Sequence, residues 1–161
     1  MRTTVVVSCL VALVAFSFGC SEASRKVDEE ATKEEIKVSL ESYLPLLGEA
    51  YATGNLEFLR DWAAEKEMAR VYKRVDELAA TGRTLVPTFR QLTVEEFNVW
   101  NYSNAYVTTL EIWDLEVYAT GTDQILSQEH EQPNRVKYQL KREDGRWRVL
   151  FRTIQDRTIQ E

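Results

Sequence analysis

Apolar residues in the first part of the chain recur with the spacing of an amphipathic α-helix. Between positions 36 and 51 they fall on one stripe of such a helix. They are Ile36, Leu40, Tyr43, Leu44, Leu47 and Tyr51. Pro45 lies within this stripe, and because proline has no backbone N–H we expect a kink there. The tripeptide Thr53-Gly54-Asn55 ends the helix, and Asn55 is suited to cap the next one.

A second helical pattern extends from Asn55 to Gly82. Its apolar positions again share one face, and a glycine is a common residue at the end of a helix. The positions are Leu56, Leu59, Trp62, Ala63, Met68, Val71, Tyr72, Val75, Leu78 and Ala79. The pattern predicts that helical structure continues up to Gly82.

After Gly82 the period of the apolar pattern falls to two, which is typical of β-strands. Residues 89–100 are rich in strand-forming residues but irregular, which predicts a β-bulge. A turn at 101–104 leads to a long strand from Ala105 to Tyr118. Residues 119–133 are mostly polar and predict a turn and a loop, with one short strand around Ile125.

The last part of the chain predicts a β-hairpin. Asp144-Gly145 is typical of a two-residue type I′ turn and lies between two alternating runs. The register set by this turn pairs Leu140 with Val149, Tyr138 with Phe151 and Val136 with Thr153. The opposite face is basic and carries Lys137, Lys141, Arg148 and Arg152. A hairpin with one apolar and one charged face belongs to an antiparallel sheet that is covered on one side.

Helices that precede a group of antiparallel strands indicate an α+β fold. We therefore predict one domain at 36–157, in which N-terminal helices pack on one face of an antiparallel sheet. A chain of this length is sufficient for a single hydrophobic core.

The first twenty residues predict an export signal. Arg2 is followed by an uncharged run, residues 3–19, and then by Cys20. The run is short and weakly flanked for a stop-transfer helix. Its end resembles a bacterial lipoprotein signal, in which the cysteine after a small residue is lipidated and becomes the first mature residue. Cleavage after Ala23, which would yield a soluble secreted or periplasmic protein, and an uncleaved anchor are the alternatives.

The cysteine content favours lipidation of Cys20. Cys9 and Cys20 are the only cysteines in the sequence. A cleaved leader, residues 1–19, removes Cys9, so Cys20 would have no disulfide partner in an oxidising compartment. Acylation accounts for this unpaired thiol.

The segment that follows, residues 20–35, is charged and almost free of large apolar residues. It predicts a flexible tether between the membrane and the folded domain. Loss of Arg2 with the leader changes the formal net charge from −6 to −7. An acidic chain of this kind is a poor candidate for binding nucleic acid.

Three stretches of the chain resemble the NTF2-like superfamily. They are the helix junction 51–59 with its Gly54-Asn55, the long strand 105–113, and the ending 136–149 with its Asp-Gly-x-Trp-x-Val pattern. The resemblance implies a cone-shaped α+β fold over about residues 36–155, with a strongly curved sheet. Among the branches of this superfamily, the chain looks most like the non-enzymatic Tim44-like or chloroplast-division (IMS-domain) proteins. Because the superfamily shares a fold and not a chemistry, individual residues must indicate the function.

Carboxylates on the long strand are the candidates for acid–base catalysis, as in ketosteroid-isomerase-like relatives. Asp114 and Glu116 share one face of the strand, and Glu111 lies on the other. We expect these acids to pair with the basic face of the final hairpin. His130 lies in a predicted polar loop, without the nucleophile or further ligands that a catalytic or metal site needs. We therefore predict no catalytic residue, no cofactor and no metal.

Aromatic residues are the better candidates for a binding site. Six of them are candidates for lining a cavity inside the cone, with core packing as the alternative interpretation. They are Trp62, Tyr72, Trp100, Trp113, Tyr138 and Phe151. We predict a membrane-tethered, non-catalytic binding or scaffold domain of the cell envelope, whose partner is an envelope protein or a small apolar ligand. The alternatives are an isomerase- or cyclase-like enzyme that uses a cone carboxylate, and a passive accessory subunit of an envelope complex.

Overall fold

The computed structural model describes residues 29–157, in which two α-helices precede a four-stranded antiparallel sheet. In chain order the elements are α1 (Glu29–Thr53), a 3₁₀ helix (Leu56–Leu59), α2 (Glu65–Ala80), β1 (Arg83–Trp100), β2 (Asn104–Ala119), β3 (Ile125–Glu143) and β4 (Arg146–Arg157). The predicted signal peptide and Cys20 lie outside the described residues. The predicted α+β fold, with helices packed on a curved antiparallel sheet, is confirmed.

Helix α1 includes residues that the charge pattern assigned to the tether. It is helical from Glu29 onward, and Thr32 is buried one turn before Ile36. Two acidic residues, Glu29 and Glu30, lie in its first turn, where the helix dipole favours negative charge. The prediction of a flexible segment is therefore wrong for residues 29–35, because their polar side chains cover the exposed side of a helix.

The region between α1 and α2 is more broken than the apolar pattern predicts. The Asn55 side chain accepts a hydrogen bond from the Glu57 backbone N–H (3.1 Å), which confirms the predicted cap. The capped element is only a short 3₁₀ helix, and residues 62–64 then run beside β4. The Val149 backbone donates to Trp62 and accepts from Ala64, both at 2.8 Å. These bonds to the sheet interrupt the single helix predicted from Asn55 to Gly82.

The sheet is a simple meander with strand order β1-β2-β3-β4. Strand β1 contains register shifts between Phe89 and Gln91 and between Val94 and Glu96, which confirm the predicted irregularity. Strand β3 extends through most of the predicted polar loop. Its residues 125–132 pair with the second half of β2. Their side chains are mostly exposed and, after Ile125 and Leu126, polar, so they give no alternating pattern that the sequence could reveal.

The final hairpin has the predicted turn but a different register beyond its first residues. Asp144 and Gly145 both have positive φ, 51° and 80°, as a type I′ turn requires. Leu140 pairs with Val149 as predicted, but β4 then contains one extra residue, Leu150. Beyond this bulge the pairs are Tyr138 with Arg152, Gln139 with Phe151 and Val136 with Ile154. The predicted pairs of Tyr138 with Phe151 and of Val136 with Thr153 are therefore wrong, because one inserted residue reverses the alternation of faces.

The core lies between the apolar stripe of α1 and the concave face of the sheet. Tyr138, Leu140, Trp147 and Val149 are buried as predicted. They pack in one cluster with the α1 residues Ile36, Leu40, Tyr43, Leu44 and Leu47. Phe151 is only half-buried, and the Arg152 side chain is 15 % exposed, so the expectation of Phe151 inside and Arg152 outside is wrong.

Helix α1 and strand β1 approach closely at Gly48. A Cβ atom at this position would lie 2.5 Å from the backbone oxygen of Pro87 and 3.8 Å from the Trp113 ring. Only a residue without a side chain permits this approach. Gly48 thus sets the distance between α1 and the part of the sheet that borders the cavity described next.

Candidate ligand-binding site

An apolar-walled cavity of about 280 Å³ lies between the helices and the concave face of the sheet. Both helices and all four strands contribute apolar side chains to its wall. These include Leu47, Leu78, Leu85, Pro87, Trp113, Leu115, Val117, Val136 and Ile154. A cavity of this size has room for about nine waters at about 30 Å³ each, so it is large enough for a small molecule or a group of a partner.

Strand β2 supplies one side of the cavity through the alternation of its side chains. Glu111, Trp113, Leu115 and Val117 follow one another at intervals of two and all line the wall. Glu111 is the polar member of this row and is 1 % exposed. The row therefore places one carboxylate among apolar side chains.

Three side chains donate hydrogen bonds to the Glu111 carboxylate. Tyr138 Oη (2.5 Å) and Thr109 Oγ1 (3.0 Å) donate to Oε1, and Trp113 Nε1 (2.9 Å) donates to Oε2. Burial raises the pKa of Glu111 above its ordinary value, and the hydrogen bonds oppose this effect. Burial also raises the pKa of Tyr138, which keeps its phenol protonated as a donor.

Arg152 reaches the same interior from β4. Its Nε donates to Glu67 Oε1 of α2 (2.9 Å) and its Nη2 donates to Tyr51 Oη (3.0 Å). Tyr43 Oη donates to the same Glu67 oxygen (3.2 Å), and burial raises the pKa of Tyr43. We call Glu67, Glu111 and Arg152, with their tyrosine partners, the buried polar cluster.

The buried polar cluster contains more negative than positive formal charge. Glu67 and Glu111 are each 1 % exposed, and Arg152 is their shared counter-charge. Glu67 Oε2 has no hydrogen-bond partner among the described residues, and Arg70 Nη1 lies 3.9 Å from it. An excess buried charge is costly, which agrees with the raised pKa of Glu111.

The other acids of β2 do not pair with the basic hairpin face, so that expectation is wrong. Asp114 lies on the opposite side of the strand and binds Arg90 of β1 through Oδ2 (2.8 Å from Nε). The backbone N–H of Glu131, and then Arg90, hold the pKa of Asp114 below its ordinary value. Glu116 accepts from Tyr118 and Gln128.

His130 belongs to strand β3 and not to a loop as predicted. Its side chain is 62 % exposed, and Nδ1 lies 3.6 Å from Asp114 Oδ1 on the outer side of the sheet. This position is separated from the cavity by the sheet itself. Within residues 29–157, no three His, Cys, Asp or Glu side chains are grouped closely enough to hold a metal ion.

The six aromatic candidates are not all brought together. Trp113 lines the cavity, and Tyr138 donates a hydrogen bond to Glu111, which also lines the cavity. Trp62 packs against the core beside β4, and Tyr72 is 61 % exposed on α2. Trp100 stacks on Tyr106 with 4.6 Å between ring centroids. Phe151 lies under Arg70, whose Cζ is 4.0 Å from the ring centroid.

Sequence reasoning missed Arg152, Glu67 and Tyr51 as members of the site. Tyr51 was placed on the apolar stripe of α1, which does point inward. Glu67 carried no signal except its position on an otherwise apolar face of α2, one residue before Met68. The uninterrupted hairpin register predicts Arg152 on the solvent side, since the bulge that turns it inward has no mark in the sequence.

The family is shown by a match that covers most of the domain. Residues 46–150 match the family described as ARC6-like, IMS domain. The chain belongs to the ARC6-like IMS domain family. The predicted NTF2-like resemblance, including its IMS-domain branch, is confirmed. No curated protein sequence matches the chain.

Two solved structures of low sequence identity share the fold of this ARC6-like domain, and a third is similar at a lower TM-score. The crystal structure of the intermembrane space region of the chloroplast protein ARC6 is 12 % identical, with a TM-score of 0.64, over 80 % of this chain and 97 % of that one. A protein from Catenulispora acidiphila is 13 % identical, with a TM-score of 0.51, over 78 % of this chain and 94 % of that one. An NTF2-like protein from Prochlorococcus is 17 % identical, with a TM-score of 0.44, over 75 % and 89 %.

Neither helix of the described residues has the length and apolar character needed to cross a bilayer.

Proposed function

We propose that this ARC6-like domain is a lipid-anchored, non-catalytic binding domain of the cell envelope, and that its cavity receives an apolar group. The observation that carries the proposal is the composition of the cavity wall, which is mainly apolar and also includes polar side chains such as Glu111 and Arg152, as is usual for a ligand site. The group could belong to a small apolar ligand or to an envelope protein.

The state of Glu111 supports binding without catalysis. A general acid or base must come within hydrogen-bond reach of the substrate proton. The Glu111 carboxylate already accepts three hydrogen bonds from its own domain and is 1 % exposed. Its first role in this arrangement is to hold Tyr138, Thr109 and Trp113 in place.

An enzyme that uses the cone carboxylate is the second candidate. One observation favours it: Glu111 borders an apolar cavity, and burial raises its pKa, as for catalytic carboxylates. A folded Glu111→Gln protein that no longer supports growth, while Leu115→Ala does, would support this candidate against ours.

Membership of the ARC6-like IMS family supports a location in an envelope space. The leader and Cys20 support attachment there through lipid. Cys20→Ser is expected to release the protein from the membrane fraction or to leave an unprocessed precursor. Cys9→Ser, within the leader, is the matched control and should leave processing unchanged. Membrane attachment of the Cys20→Ser protein, together with absence of lipid by mass spectrometry, would contradict the anchor.

Filling the cavity tests the binding role. Leu115→Trp places a large ring in the wall, and Ile112→Trp adds the same ring on the other face of the same strand. In a strain that lacks the native protein, we expect Leu115→Trp to lose function and Ile112→Trp to retain it, with both proteins folded. Equal function of the two variants would favour the passive accessory subunit.

A further inference from the structure

Arg152 presents hydrogen-bond donors to the cavity. A guanidinium has five N–H groups. Within the described residues Arg152 uses Nε for Glu67 and one Nη2 hydrogen for Tyr51, and it lines the cavity wall with 15 % of its side chain exposed. Further N–H groups of this side chain are therefore available to a bound molecule.

The buried carboxylate of the same wall, Glu111, is already occupied. Glu111 Oε1 accepts from two hydroxyl groups and Oε2 accepts from the Trp113 indole. Glu111 is also far less exposed than Arg152. Of the two charged side chains on the inner side of the cavity, Arg152 thus has free donors and Glu111 has occupied acceptors, so a ligand that meets Arg152 brings an acceptor.

The charge of the buried polar cluster indicates whether the ligand that carries this acceptor is charged or uncharged. An anionic ligand would add a further negative charge beside Glu67 and Glu111, and a cationic ligand would lie against Arg152. Both charges would be desolvated in an apolar cavity, which is costly without a counter-charge. Other charged wall residues are exposed, such as Arg74, which pairs with Glu77 at 3.4 Å, so water screens their effect.

Resting on the proposed binding function of the cavity, we infer that the ligand is an uncharged apolar molecule with a carbonyl oxygen. The carbonyl oxygen accepts hydrogen bonds from Arg152, and the apolar body packs against Trp113 and Leu115. An ester, an amide or a ketone of modest size has this chemistry.

Four probes with the same carbon number test the inference on the full-length protein: 2-hexanone, hexanoate, hexylamine and 1-hexene. Titration is followed by the NMR signal of the Trp113 indole N–H, which lies at the cavity wall and is assigned with Trp113→Phe. A hydrogen bond to a charged group contributes enough to change affinity by about 10- to 100-fold. We expect 2-hexanone to bind more tightly than 1-hexene by about that factor, and more tightly than either charged probe.

The comparison between probes uses the unaltered protein, so it does not depend on a variant that fails to fold. Tighter binding of hexanoate or hexylamine, or equal binding of 2-hexanone and 1-hexene, overturns the inferred ligand class and leaves the proposed function standing. Absence of 2-hexanone binding overturns the inference as well. The proposed function fails separately, if Leu115→Trp retains full activity in the cell.

Discussion

Replacement of Arg152 by methionine tests the inward position of this side chain most directly. Methionine keeps an unbranched apolar side chain and removes the guanidinium. The change leaves Glu67, which is 1 % exposed, without its 2.9 Å partner, and Tyr51 without a donor. Glu111 also loses the nearby positive charge that lowers its pKa.

The expected cost is large because the surviving carboxylate stays buried. Removal of one partner of a buried ion pair destabilises a protein by about 3–5 kcal/mol. An exposed arginine, which the uninterrupted hairpin register predicts at this position, would change stability by about 0.5 kcal/mol or less. The whole stability of a domain is about 5–15 kcal/mol, so a loss of about 3–5 kcal/mol would be measured as a large shift of the unfolding midpoint.

Urea unfolding of four proteins measures the effect: the native chain, Arg152→Met, Glu67→Gln and the double variant. We expect the double variant to be less destabilised than the sum of the single changes, since it leaves no unpaired charge; coupling of contacting residues is about 0.5–3 kcal/mol. Arg146→Met, an exposed arginine on the same strand, is the control. A cost below about 1 kcal/mol for Arg152→Met, or strict additivity in the cycle, would refute the inward position.

Three further changes test separate parts of the domain. Gly48→Ala should lower the unfolding temperature. A Cβ 2.5 Å from the Pro87 oxygen costs about 1–3 kcal/mol of overpacking, which exceeds the gain of about 1 kcal/mol in helix propensity. The exposed neighbour Glu49→Ala is the control and should leave the unfolding temperature unchanged; the same result for Gly48→Ala would contradict this prediction. Glu111→Gln should remove a pH dependence of stability. A raised pKa of the folded form means that the contribution of Glu111 is complete below the ordinary carboxyl pKa and is lost as the pH rises through the raised value. The native protein should therefore lose stability relative to the variant as the pH rises above about 4 and through the raised pKa. Parallel pH profiles would argue against a perturbed carboxylate. Asn55→Ala removes the acceptor of the Glu57 N–H and should cost about 1 kcal/mol in urea unfolding, and no measurable change would show that the cap is unimportant.

Local signals in the sequence were sufficient for most of the elements. The stripe of α1, the Asn55 cap, the helix end at Gly82 and the Asp144-Gly145 turn each depend on residues that are neighbours along the chain. Alternation along β2 correctly put Glu111 on the face opposite to Asp114. Propensity and periodicity describe such features because the interactions involved span only a few residues.

Contacts between distant segments decided the rest. Residues 62–64 leave the helical pattern because they bind the backbone of β4, and the polar half of β3 is a strand because β2 supplies its hydrogen-bond partners. The first outcome depends on a strand that is far away in the chain, and the second depends on pairing with the preceding strand. A polar segment at the border of a sheet keeps its side chains in water, so its sequence resembles that of a loop.

The difference between what local sequence signals determine and what tertiary contacts determine is clearest at the site. The sequence by itself determined that the domain is α+β, that its final hairpin has an apolar face and that β2 carries carboxylates on both of its faces. Only the tertiary structure decided that Arg152 joins one of these carboxylates, Glu111, through the extra residue Leu150 in β4. A bulge of one residue leaves composition and turn unchanged but moves the side chains from Phe151 to Ile154 to the other face. Its position is fixed by the packing of β4 against α2 and β3, which no local pattern records.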